Sequence, residues 1–122
     1  MFTIEFYENV SGDSIIFEML KKLELMARTN RHERVRFGKI VEYMRILERY
    51  GTLVGPPVVR YMGRDLWELR PLSDRFFFFL ANEHKYVMLH HYQKNGRKTP
   101  KRELSLAIAH MNNYIERNIG NA

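Results

Sequence analysis

The chain has 122 residues, 45% of them apolar, with 20 Lys or Arg against 14 Asp or Glu and no cysteine. That size and apolar content suffice for one domain, residues 1–122, with its own core. The lack of thiols excludes disulfides, cysteine metal sites and a thiolate nucleophile. No run approaches the about 18 consecutive apolar residues of a membrane span, and Met1–Glu5 lacks the basic start and apolar stretch of a signal peptide, so a cytoplasmic protein is expected.

Phe2, Ile4 and Phe6 alternate with polar residues and predict a first strand. Asn9–Asp13 supplies turn and capping chemistry, after which Ile15, Met19, Leu23 and Met26, flanked by Ile16 and Leu20, recur at helical spacing and predict a helix over 13–28. Thr29–Glu33 interrupts the pattern. Phe37, Ile40, Val41, Met44 and Leu47 then stripe a second helix ending near Tyr50-Gly51, which makes an αα hairpin. Gly55-Pro56-Pro57 stops it, and Val58–Met62 reads as a strand followed by a tight turn at Gly63-Arg64-Asp65.

Three further strands follow as a meander: Leu66–Arg70, Arg75–Phe79 and Val87–Tyr92, joined by turns short enough that neighbours pair antiparallel. Thr99 offers a cap, Pro100 suits a first helical position, and Leu104, Ala107, Ile108, Met111 and Ile115 form the apolar face of a last helix. The expected architecture is α+β: an N-terminal strand and helical hairpin packed on an antiparallel sheet of about four strands, plus a C-terminal helix. Helices on one face would leave the other partly open. Phe76–Phe79 and Trp67 read as core.

Charge is distributed unevenly. Residues 1–57 carry nine Lys or Arg against eight acids, residues 58–122 eleven against six. Lys94, Arg97, Lys98, Lys101 and Arg102 fall within nine residues free of acids. Such a run is either a solvated loop or the footprint of an anionic partner. If the strand stays extended to Lys94, the period of two puts His90, Tyr92 and Lys94 on one face and His91 on the other. Arg70 closes its strand on the face of Leu66 and Glu68.

At Leu66-Trp67-Glu68-Leu69-Arg70, the aromatic strand opened by Arg75, Leu89-His90 and Lys98-Thr99-Pro100-Lys101-Arg102-Glu103, the chain resembles phage-derived Gp49-like toxins of the HigB branch, within the RelE/ParE toxin superfamily. The resemblance implies a RelE-like fold and the toxin of a type II toxin-antitoxin pair: a metal-independent endoribonuclease, without cofactor, that cleaves mRNA on the ribosome. It also implies a cognate helix-turn-helix antitoxin that masks the basic face in a hetero-oligomeric complex. Cutting RNA without a metal needs a proton taken from the 2′-hydroxyl, a stabilised phosphorane and a proton for the leaving 5′-oxygen.

On that basis Arg70 is assigned to the transition-state phosphate, His90 to proton transfer, Tyr92 to base stacking, and Lys94 and Lys98 to phosphate or ribosomal RNA, with Arg75, Lys101 and Arg102 as further RNA contacts. Each has a plainer reading. Arg70 can pair with Glu68 or Asp74, His90 can be a satisfied strand histidine, Tyr92 an edge aromatic packed on the last helix, and Arg75 a capping or ion-paired residue. Glu68 is expected in an ion pair. His84, His90 and His91 share a hairpin without a carboxylate at ligand spacing, so no metal site is expected, and His32 and His110 read as surface residues. Two other functions fit the same chain: a ParE-like DNA gyrase inhibitor, and a phage nucleic-acid-binding protein without catalysis.

Overall fold

The computed structural model describes residues 1–119. Its elements are β1 (Thr3–Phe6), α1 (Ile15–Ala27), α2 (Arg31–Tyr50), a 3-10 turn (Gly51–Val54), β2 (Val59–Gly63), β3 (Leu66–Leu69), β4 (Asp74–Asn82), β5 (Lys85–Gln93) and α3 (Lys101–Ile119). Local chemistry sets the helix starts: the Ser14 hydroxyl accepts the Phe17 N–H, and the Asn30 side-chain oxygen accepts the Glu33 N–H. α3 begins after Pro100, whose carbonyl accepts from the N–H groups of Glu103 and Leu104.

The buried stripe of α1 is Ile16, Leu23 and Ala27, while Ile15 and Met26 face outward. Two adjoining faces of this helix are apolar and share Leu23, so periodicity alone leaves the phase open and the position of the sheet decides it.

The strands form one sheet in the order β1-β5-β4-β3-β2. The β2–β5 meander is antiparallel throughout. β1 adds parallel to the outer edge of β5, pairing Thr3 with Lys85 and Phe6 with Met88, so the sheet is mixed and has five strands. β1 stops there, and β5 runs on to Gln93 with no paired strand on that side among the described residues.

Helices cover both faces, which corrects the expectation of a partly open sheet. The αα hairpin lays Ile16, Leu23, Ile40 and Leu47 against Phe76, Phe78 and Met88. α3 lays Ala107, Met111 and Tyr114 against Phe77, Phe79 and Val87. Four consecutive phenylalanines, all buried, alternate between two cores and so require two covered faces.

Gly51 joins α2 to the 3-10 turn at φ 64° and ψ −164°, a conformation essentially restricted to glycine. A Cβ there would stand 2.7 Å from Phe2 Cε2 and 2.9 Å from the Tyr86 hydroxyl. Gly51→Ala is therefore expected to destabilise the protein by about 1–3 kcal/mol in a denaturant titration, and a change within about 0.5 kcal/mol would show that this junction is not tightly packed.

Candidate functional site

The meander brings Arg70, Arg75 and Tyr92 together at one end of the sheet, on the α3 side. Arg75 pairs directly with Tyr92 across β4 and β5, and Leu69 pairs with Phe76, which sets Arg70 beside them. Glu68, only 2% exposed, lies between the two arginines. Its Oε1 is 3.4 Å from Arg70 Nε and 3.9 Å from Arg75 Nε. Arg75 Nη1 is anchored by the carbonyls of Leu72 and Asp74 at 2.6 and 2.9 Å.

Three buried side-chain atoms here have no hydrogen-bond partner among the described residues, Glu68 Oε2, Arg70 Nε and Arg75 Nε, and the buried Tyr92 hydroxyl has only the Thr99 side chain beside it. Buried polar atoms are nearly always paired, since an unpaired one costs about 1–3 kcal/mol. Such a cluster is therefore a candidate functional site.

Burial pushes the Arg75 guanidinium below its ordinary range, with Glu68 acting against the shift and Arg70 adding to it. Burial also raises the Tyr92 phenol, the neighbouring Thr99 hydroxyl and Arg75 opposing, Glu68 and Glu103 reinforcing. Tyr92 is thus a neutral O–H donor at physiological pH. Its ring is stacked on Phe77 at 5.8 Å and almost fully buried, so the site is offered the hydroxyl and not the ring face that base stacking would need.

His90 lies on the same side, its ring parallel to that of Phe77, with Nε2 2.6 Å from Glu103 Oε2. A carboxylate only accepts, so Nε2 carries a proton. Glu103, on the first turn of α3, thereby holds His90, a role the sequence reading did not assign. The carboxylate lies 13 residues from the histidine, and only the docking of α3 on the sheet joins them.

His91 faces the other way. Its Nε2 is 2.7 Å from Asp74 Oδ1, and Asp74 also accepts both Nε and Nη2 of Arg36 at 2.8 Å. Both strand histidines therefore have carboxylate partners, as the plainer reading of His90 as a satisfied strand histidine allowed. His110 is not a free surface residue either: its Nδ1 is 2.7 Å from the Leu89 carbonyl. Among the described residues no three His, Asp or Glu side chains gather into a group able to hold a metal ion.

The basic segment is more loosely placed. Lys94 stands one residue past β5, half-exposed, its backbone N–H donating to the Ser73 carbonyl at 2.7 Å. Lys98, Lys101 and Arg102 are exposed between β5 and the first turn of α3, in no ion pair with the described residues. They border Thr99 and Glu103 in sequence and so flank the buried cluster.

A mixed sheet clad on both faces, with Arg70 and Arg75 around Glu68 at one end and a solvated basic segment beside it, defines an α+β scaffold. The family model described as phage-derived protein Gp49-like (DUF891) matches residues 19–112, and the chain belongs to that family. The match takes in every residue of the cluster from Glu68 to Glu103. Comparison with curated proteins finds no match. Among the described residues, no helix is long and apolar enough to cross a membrane.

Proposed function

We propose that this protein is the toxin of a toxin-antitoxin pair, an endoribonuclease that cleaves mRNA on the ribosome by 2′-hydroxyl attack. The observation that carries the reading is the gathering of unpaired buried polar atoms on Glu68, Arg70 and Arg75, with the buried Tyr92 hydroxyl, next to a histidine that a carboxylate holds. In the proposed reaction His90 Nδ1 takes the proton of the 2′-hydroxyl as its oxygen bonds to phosphorus. Arg70 and Arg75 receive the charge on the phosphorane oxygens. The Tyr92 hydroxyl gives its proton to the 5′-oxygen as the P–O5′ bond breaks, leaving a 2′,3′-cyclic phosphate and a 5′-hydroxyl. Lys94, Lys98, Lys101 and Arg102 hold neighbouring phosphates of the message or of ribosomal RNA. The proposed antitoxin, a helix-turn-helix protein, covers this basic surface.

Expression should arrest growth, and primer extension on a reporter message should show cuts confined to translated regions. Intact RNA with trapped gyrase would replace the reading with DNA gyrase inhibition. Tyr92→Phe removes a buried hydroxyl whose neighbour is the half-exposed Thr99, so it should change stability by no more than about 1 kcal/mol. Cleavage should nevertheless fall about 10²-fold or more. Unchanged cleavage by that variant would remove Tyr92 from the reaction.

A further inference from the structure

β1 pairs with β5 only as far as Met88, and a backbone bond from the Tyr7 N–H to the Met88 carbonyl, at 2.9 Å, closes that ladder. The chain then leaves through Asn9–Asp13 for α1, while β5 continues to Gln93. A register shift opposite Phe77 and Phe78 puts an extra residue into β5 at Leu89. The Leu89 carbonyl accepts from His110 Nδ1 at 2.7 Å. Past this bulge, the Lys94 N–H donates to the Ser73 carbonyl on the β4 side. Backbone groups alternate along a strand, so those of His90 and Tyr92 also turn to β4. The N–H and C=O groups of His91 and Gln93 therefore point to the open edge, where no strand pairs with them among the described residues.

The same edge opens into a cleft of about 280 Å³. Ile15, Ile16 and Met19 of α1 wall it on one face of the sheet, Leu106 and His110 of α3 on the other. Ile15 is 79% exposed and Leu106 36%, so apolar surface is left uncovered on both sides. A strand laid along the edge would send successive side chains to opposite faces. With apolar walls on each, the matching sequence is a run of consecutive aliphatic residues and not an alternating one. No Lys or Arg lines the cleft, and the exposed Asp13 at its rim enters no ion pair among the described residues. A cation next to the aliphatic run complements that carboxylate, whereas a polyanion does not. The flanking helices leave room for one extended chain, not for a second copy whose own sheet is clad on both faces.

We propose that the open edge of β5 is a strand-addition site. It takes an extended segment of a partner polypeptide, a short run of aliphatic residues flanked by Lys or Arg, which pairs with His91 and Gln93 along the line that β1 leaves. Such docking involves no nucleic acid and stands apart from the cleavage reading.

The probe is the peptide acetyl-Lys-Val-Ile-Val-Ile-Lys-amide, used with the full chain. Two control peptides carry the same side chains but N-methyl amides at alternate positions, odd in one and even in the other. In NMR titrations the parent peptide should shift the amide signals of His91 and Gln93 and the methyl signals of Leu106, and hydrogen exchange at those two amides should slow. Only one edge of an added strand pairs with β5, so one control should lose affinity at least about tenfold while the other keeps it. Ile15→Lys and Leu106→Lys, both at exposed positions, should each weaken binding about tenfold or more with the circular dichroism spectrum unchanged. No binding, or equal binding by the two controls, overturns the inference, because backbone pairing predicts a difference between them. Parent-like binding by both variants overturns it too. So do shifts that follow protein concentration alone, which would assign the edge to a second copy of the chain.

Discussion

Replacing Arg70 by Ala should lower message cleavage about 10²–10³-fold, the loss met when one preorganised donor to a developing negative charge is removed, and should relieve growth arrest on expression. The fold should survive. The Arg70 side chain is 26% exposed and its ion pair with Glu68 is long, at 3.4 Å. Glu68 is buried, so losing this partner costs some stability, but Arg75 remains 3.9 Å from the same carboxylate oxygen to balance it. The backbone N–H that bonds the Val58 carbonyl is untouched by the substitution.

The competing account is that Arg70 is present only to neutralise Glu68, which is buried and otherwise faces Arg75 at 3.9 Å. A second substitution separates the two. If Arg70 serves Glu68, then Arg70→Ala combined with Glu68→Gln removes both the charge and its partner, and activity returns. If Arg70 serves the phosphate, the double variant stays inactive. Arg70→Lys restores the charge but not the planar fork and should recover only part of the rate. Cleavage by Arg70→Ala within about threefold of the parent, with the fold intact by circular dichroism, would sink the assignment.

Glu68 also explains how two guanidinium groups tolerate each other in a small volume. Like charges this close repel strongly where water is excluded, and the carboxylate between them offsets that repulsion. Its second oxygen and both Nε atoms have no hydrogen-bond partner among the described residues.

How far this was legible in the sequence depends on the range over which each signal acts. The alternation in β1, the helical stripe of α2 and the strands of the meander are local patterns, and each element was found within a few residues of its place. The pairing of Glu68 with Arg70 was also readable, because residues two apart on a strand share a face. The parallel docking of β1 on β5 joins Thr3 to Lys85, and nothing in an alternating tetrad says which strand it will meet. The second covered face was readable in principle: four buried phenylalanines in a row contradict a sheet with one open side. The partners of the histidines were not. Glu103 reaches His90 only because α3 folds back over the sheet, and Asp74 reaches His91 only through the β4–β5 register. The burial of the Tyr92 ring in the cluster that α3 completes was likewise beyond any local pattern.

Asp74 should be the most sensitive charged residue for stability. It is fully buried, accepts two hydrogen bonds from Arg36 and one from His91, and so ties α2 to β4 and β5 at the residue before Arg75. Asp74→Ala leaves the Arg36 guanidinium in a half-buried site with only Glu33, 3.2 Å away, to balance it. Removing one partner of a buried pair costs about 3–5 kcal/mol, a large share of the about 5–15 kcal/mol that holds a typical domain. The midpoint in guanidinium chloride should fall accordingly with the slope unchanged. Arg36→Ala should cost less, and the double variant less than the sum of the two, because both remove one interaction. Burial alone would raise the Asp74 carboxyl, but the hydrogen bonds from Arg36 and His91 outweigh it and hold the group below the ordinary carboxylate range. Its stabilising contribution is therefore complete above the unfolded-state value, about 3.9, and is lost as pH falls through the lower folded-state value. Parent protein should lose stability over that acid window, while Asp74→Asn, already without the charge, should show a flatter profile there. Profiles that run parallel through the window would mean that the Asp74 charge contributes nothing to the fold.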